Sequence, residues 1–240
     1  MLFYSFEVFM KKNIFFILSV FLFFSCEKKL SNSDVEYVQQ NIKPFTDIND
    51  FSFEVSYPHF KNYPLINDEI QKILDYASLL ANEIALSKTY YTSSMPDTST
   101  WFVSLSSEEP EIVGMTISIL FYLSRYNGIT KPFTEVISVN YDAEDNKILT
   151  IENISQLEHA DVLNTISKFC IKELEKKYID DNDFNSDIQW IHDGAAAQIK
   201  NYETFRIQKK GIEVIFSPCQ VATQDTGIVR VHVPYTVLKK

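Results

Sequence analysis

The apolar and polar positions of this chain fall into two repeating patterns, one of period two and one of period 3.6, and their order predicts the architecture. Phe51, Phe53, Val55 and Tyr57 alternate with other residues up to Pro58, whose missing amide is expected to end a strand there. Ile66, Ile70, Ile73, Leu74, Ala77, Leu80, Ala81 and Ile84 then recur at helical spacing, and Asn67, Asp68 and Glu69 place a cap and negative charge near the helix start. Residues 89–100, rich in Ser, Thr and Tyr and carrying Pro96, read as a loop before a short strand at 101–105. Val113, Met115, Ile117, Ile119, Phe121 and Leu123 give six consecutive alternations, so this strand is expected at the centre of a sheet.

Turn residues at 125–132, RYNGITKP, precede a returning strand at 135–141, and polar residues 142–147 form a hairpin turn into residues 148–151. Ser155 and Glu158 fit a capping box ahead of Val162, Leu163, Ile166, Phe169, Cys170 and Leu174, a second long helix. Acidic residues 180–187 read as a loop, Gly194 with three following alanines as a tight turn, and residues 202–207 as a strand. The carboxy-terminal stretch 211–238 is a β-hairpin: Ile212, Val214 and Phe216 share one face, as do Val229, Val231 and Val233, and a long connection with Pro218 and Gly227 joins the arms. Seven or eight strands and two long helices predict an α+β fold of antiparallel sheets packed with helices.

At the amino end, Lys11, Lys12 and Asn13 precede an apolar run from Ile14 to Phe24 that stops at Ser25 and Cys26. This is the pattern of a signal peptide over residues 1–25, because a bilayer span needs about 20 apolar residues. A start at Met10 would give the ordinary short basic region and make residues 1–9 an extension. Phe23-Phe24-Ser25-Cys26 resembles the lipobox of bacterial lipoproteins, with Ser25 as the small residue and two phenylalanines bulkier than usual. Lipidation of Cys26 would anchor the protein to a membrane, since acyl chains contribute about 0.8 kcal/mol per buried CH₂. A plain cleaved signal and an uncleaved anchor are the alternatives. Residues 26–50 would then form a polar tether.

Composition narrows the function classes. A 45% hydrophobic and 14% aromatic content suits a packed core. The net charge of −10, from 32 acidic and 22 basic residues, argues against nucleic acid, whose phosphates need clustered Lys and Arg. Asp181, Asp183, Asn185 and Asp187 have the spacing of half a calcium loop, but Ser186 replaces its glycine and His192 its closing acid, so a solvated loop is favoured. His59, His159, His192 and His232 show no metal-ligand spacing, and no GxSxG, P-loop or GxGxxG motif occurs. No cofactor or metal is indicated. Cys170 and Cys219 could pair in an oxidising envelope or remain separate buried thiols.

The hairpin carries a resemblance. GIEVIFSPCQVA followed by GIVRVHVPYTVL resembles the end of an envelope domain family of unknown function, found in the lysozyme-sensing anti-sigma factor RsiV and beside the catalytic domain of the peptidoglycan deacetylase PdaC. The matching positions are Phe216, Pro218, Gln220, Val221, Ala222, Gly227, Pro234 and Tyr235. Asn140-Tyr141-Asp142, Lys147-Ile148-Leu149-Thr150 and FEVSYPHF at 53–60 extend it backwards. Cys219 stands for a usual Tyr, Thr223-Gln224 for a frequent Pro-Tyr, and Tyr126-Asn127-Gly128-Ile129 for a common Gly-Gly-Ala-His.

The resemblance implies two α+β subdomains, at 51–130 and 131–240. It also implies partner-binding loops at Tyr126, Asn127 and Gly128 and at Thr223, Gln224 and Asp225. The expectation is a non-catalytic, membrane-anchored envelope lipoprotein, facing periplasm or exterior, that binds a cell-wall component or a wall-active protein such as lysozyme. The alternative is a peptidoglycan-modifying enzyme with an unrecognised active site.

Overall fold

A computed structural model of the protein describes residues 34–42, 50–92, 100–154, 159–180 and 186–238. The period-two segments form two sheets. The larger has β1 (Val35–Asn41), β2 (Phe51–Phe60), β3 (Trp101–Ser107), β4 (Glu111–Val113), β5 (Thr116–Tyr126), β6 (Phe133–Asp142) and β7 (Lys147–Ile148), in the order β1-β2-β3-β5-β6-β7 with β4 beside β5. The smaller has β8 (Phe205–Gln208), β9 (Gly211–Phe216) and β10 (Val229–Pro234), in the order β10-β9-β8. Helix α1 (Pro64–Thr92) packs on the larger sheet, and α2 (His159–Glu175), continued by a π-helical stretch Lys176–Asp180, packs on the smaller. Two short helices, α3 (Ile188–Gly194) and α4 (Tyr235–Leu238), complete an α+β fold.

The alternation predicts burial well. Phe53, Val55, Val103, Leu105, Ile117, Ile119, Phe121 and Leu123 are buried, as is the α1 stripe from Ile66 to Ala85 apart from the half-buried Leu80. In the hairpin, Phe216 lies opposite Val229, Val214 opposite Val231 and Ile212 opposite Val233. These six join Val162, Ile166, Cys170 and Leu174 of α2 in one core. Strand β5 is central, paired with β3, β4 and β6.

Several expectations are corrected. Residues 35–41, read as part of the tether, are β1, paired antiparallel with β2. Strand β2 runs through Pro58 to Phe60. Bonds from Ile42 N to Phe53 O and from Lys61 N to Asp34 O set the phase of this ladder, so the nitrogen of Pro58 points away from β1. On that side β3 pairs only as far as Val55, and the proline costs no ladder bond.

β2 and β3 are parallel, with α1 as their crossover, within otherwise antiparallel sheets. The alternation from Val113 to Leu123 contains a turn at Gly114, whose φ of 63° reverses β4 into β5. Helix α1 extends into the segment read as a loop, and the turn expected at Gly194 and the alanines follows directly on a helix not expected there, α3. The boundary at 130/131 falls inside the β5–β6 hairpin, so the larger sheet runs across it and the smaller sheet with its own core begins beyond β7.

Cys170 and Cys219 are both free. Cys170 faces the core from α2, whereas Cys219 sits at an exposed turn with φ of 67°, so neither the disulfide nor a second buried thiol is found. The leader, Cys26, the Ser155–Glu158 capping box and the acidic residues Asp181, Asp183 and Asn185 lie outside the described residues. Asp187 is described, and it caps α3 by accepting a 2.7 Å bond from Trp190 N.

Candidate functional site

Because strand side chains alternate, the larger sheet has a second face opposite α1. Registers place Gln39 and Asn41 of β1, Glu54 and Ser56 of β2, Ser104 and Ser106 of β3, and Ser118, Leu120, Tyr122, Ser124 and Tyr126 of β5 on it. The small sheet covers the half built by β5 and β6. Ser118 Oγ donates to Asn140 Oδ1 (2.6 Å) and accepts from Ile207 N (3.1 Å), and Asn140 Nδ2 donates to Phe205 O (2.9 Å). Ser138 Oγ accepts from Phe205 N (3.1 Å). Side chains of one sheet thus satisfy backbone groups along the free edge of β8, and the buried Ser118 and Asn140 are themselves paired.

A charged cluster closes the junction. Arg206 donates to Glu108 (2.6 Å) and Glu213 (2.8 Å), while Arg230 donates to Glu108 (2.9 Å), Glu213 (3.2 Å) and the Tyr122 hydroxyl. Tyr122 also donates to Glu108. Burial alone would push the Glu108 carboxyl up, but hydrogen bonds from Tyr122 and Arg230 and the charges of both arginines outweigh it and hold the pKa below its ordinary value. Burial, reinforced by the Glu108 bond, pushes Tyr122 up to about 12. The cluster therefore contains two carboxylates and two guanidiniums, a neutral sum held in fixed geometry.

The other half of this face is open. There, Gln39, Asn41, Glu54, Ser56, Ser104 and Ser106 line a shallow groove of about 490 Å³. Ser106 lies opposite Tyr122, so the groove runs up to the charged cluster. Two residues before Ser104 along β3, Phe102 packs against Tyr126 across the strands, ring centroids 6.0 Å apart. Hydroxyls and carboxamides offer both donors and acceptors, and the lining supplies a single carboxylate, Glu54. Among the described residues, no three His, Cys, Asp or Glu side chains come together as a metal site.

Of the loop residues singled out in the sequence, Tyr126 is on this open face. Asn127 instead shapes its own turn: its Oδ1 accepts from Ile129 N (3.2 Å), Thr130 N (3.1 Å) and Thr130 Oγ1 (3.1 Å), beside Gly128 at φ 75°. Thr223 pairs its hydroxyl with that of Thr226 (3.1 Å) across the short turn of Gln224 and Asp225. Lys131 Nζ and Asp225 Oδ1 approach to 2.6 Å and bring the two loops together, but both side chains are about 70% exposed, so the contact adds little stability.

The connection leading to that second loop is anchored from below. Gln220 Nε2 donates to Gly194 O (3.0 Å) and Asn201 O (3.1 Å), its Oε1 accepts from Ser217 N (3.1 Å), and Trp190 Nε1 donates to Cys219 O (3.0 Å). The groove residues and the charged cluster were not singled out from the sequence. Their only signal there is the polar half of the alternation in β2 and β3, which reads equally well as an ordinary solvent-facing side.

Residues 153–236 match the model of a family described as protein of unknown function, DUF3298. No curated protein matches the chain. Among solved structures, a DUF3298 family protein from Pseudomonas aeruginosa is similar with a TM-score of 0.62 at 13% identity, over 85% of this chain and 91% of that one. A DUF3298 family member from Bacteroides fragilis is similar with a TM-score of 0.55 at 12% identity, over the same shares. At such identities the likeness is one of fold. The chain carries a DUF3298 match from 153 to 236, within a fold similar to those two proteins over most of its length.

Proposed function

We propose that this chain is a non-catalytic envelope lipoprotein, held on a membrane through Cys26, that binds a cell-wall glycan on the open face of the larger sheet. The observation that carries the reading is the groove between β1, β2 and β3. Its carboxamides and hydroxyls suit a ligand rich in hydroxyl and amide groups, and the Phe102–Tyr126 pair beside it offers aromatic faces for sugar rings. The likeness to the envelope domain found in RsiV and PdaC supports the location. A peptidoglycan-cleaving enzyme is less well supported, because glycoside hydrolysis ordinarily uses two carboxylates about 5 to 9.5 Å apart, and the groove lining contains one.

The junction of the two loops favours a second reading, a basic wall-active protein such as lysozyme, which the net charge of −10 would attract. Calorimetric titration of the full chain with muropeptides and separately with lysozyme distinguishes the two. If the glycan is bound, Ser106→Trp, which fills the groove, abolishes muropeptide binding and Asp225→Lys leaves it unchanged. Lysozyme binding that is lost in Asp225→Lys but kept in Ser106→Trp would replace the first reading with the second. Binding of neither ligand by the wild-type chain overturns both.

A further inference from the structure

The small sheet has two edges, and they are treated differently. The β8 edge is covered by Ser118, Ser138 and Asn140 of the larger sheet. At the β10 edge, the bond from Tyr235 N to Lys210 O fixes the phase of the ladder, so Val229, Val231 and Val233 bond to β9. The N–H and C=O groups of Arg230 and His232 therefore point away from the sheet, and among the described residues no backbone group meets them. Pro234 ends the edge with no donor to offer.

A groove of about 370 Å³ runs along this edge, between β10 and the end of α2, lined by Glu173, Leu174, Lys176, Lys177 and residues 229–232. A strand added to β10 would lie about 4.8 Å from it, inside this groove. Arg230 and His232 would supply four backbone hydrogen bonds to such a strand.

The charge around the groove selects the occupant. Lys176 and Lys177 are exposed and make no ion pair among the described residues, whereas Arg230 is already held by Glu108 and Glu213. Glu173 is the one carboxylate among the lining residues. A second copy of this chain is a poor fit, because antiparallel self-pairing centred on Val231 would bring two sets of Lys176 and Lys177 towards one another. We infer that β10 accepts an extended, acidic peptide segment of another protein as a fourth strand of the small sheet. This surface is separate from the glycan groove, and neither reading depends on the other.

The test uses the full chain and two fluorescein-labelled hexapeptides, one alternating valine with glutamate and one alternating valine with lysine, followed by fluorescence polarisation. The glutamate peptide is expected to bind and the lysine peptide not to. His232→Pro removes one outward donor without touching the β9 ladder, and loss of one such bond is expected to weaken binding about fivefold. A Lys176→Glu, Lys177→Glu double variant, on an exposed helix end, should weaken it further. A glutamate peptide N-methylated at alternate amides, so that one edge cannot bond, tests the same point without altering the protein. No binding, equal binding of the two peptides, or indifference to N-methylation in both registers would overturn the inference. So would a dimer in sedimentation that His232→Pro dissociates, which would assign the edge to a second copy.

Discussion

Replacing Gly194 with alanine sets two opposing effects against each other. Gly194 closes α3 and is not among the residues with positive φ, so intrinsic propensity favours alanine there by up to about 1 kcal/mol. Sterics say the reverse. A Cβ at this position would lie 1.9 Å from Gln220 O, 2.8 Å from Gln220 C and 2.9 Å from Val221 Cγ1, so backbone rather than a flexible side-chain tip must move by about an ångström. That backbone is held by the three Gln220 side-chain bonds, and Val221 and Ala222 beyond it are buried in the core.

Overpacking costs about 1 to 3 kcal/mol, and loss of two of the Gln220 bonds about 2 more. Set against the propensity gain, the net destabilisation is about 2 to 4 kcal/mol, a sizeable part of the 5 to 15 typical of a domain. In urea, with a slope of about 2 kcal/mol/M, the midpoint should fall by roughly 1 to 2 M. Gly114→Ala is the contrast, because nothing lies within 4 Å of its Cβ and only the φ of 63° resists the change. A midpoint for Gly194→Ala equal to or above that of the parent would refute the close approach of α3 to the β9–β10 connection.

Other outcomes follow from the same structure. Glu108 has its pKa lowered in the folded state, so its stabilising contribution is present above the unfolded value and is lost as pH falls through the folded one. Glu108→Gln should therefore flatten acid destabilisation below pH 4.5 and cost about 1 to 2 kcal/mol at neutral pH, a figure reduced for its one-third exposure. Urea melts at several pH values check both. Iodoacetamide should modify Cys219 in the native chain and reach Cys170, whose thiol pKa burial raises, only after unfolding, as read by peptide mass mapping. Metabolic labelling with a fatty-acid analogue should be lost in Cys26→Ala, and persistent labelling would exclude that cysteine as the anchor.

The alternating arms of the β9–β10 hairpin were legible because one face packs on α2, but the end expected at 235–238 is instead the short helix α4. Strand β1 was not: VEYVQQN has few apolar positions, as expected of an exposed edge strand whose order comes from pairing with β2. The turn at Gly114 was hidden because apolar residues keep an even spacing through it. Helix α3 spans seven residues, too few for a periodic stripe to declare itself, and its Asp187 cap was read within an acidic loop. The Arg206, Arg230, Glu108 and Glu213 cluster joins positions up to 122 residues apart, and charges on alternate strand positions give no indication of which will meet.

The distribution of the site along the chain bears on what the family match can say. The matched segment, 153–236, contains the small sheet, its core, both arginines of the cluster and the β10 edge. The groove residues Gln39, Asn41, Glu54, Ser56, Ser104 and Ser106 all precede it. The matched segment therefore supplies a platform that buries half of the large sheet's second face and leaves the other half open. Among the described residues, the open half makes no buried bond to the platform, whereas changes at Ser118, Ser138 or Asn140 disturb the way the two sheets are joined. Ligand choice at the groove is thus free to diverge among chains that share the fold, and a ligand established for one of them is not evidence for another until the residues on β1, β2 and β3 have been compared.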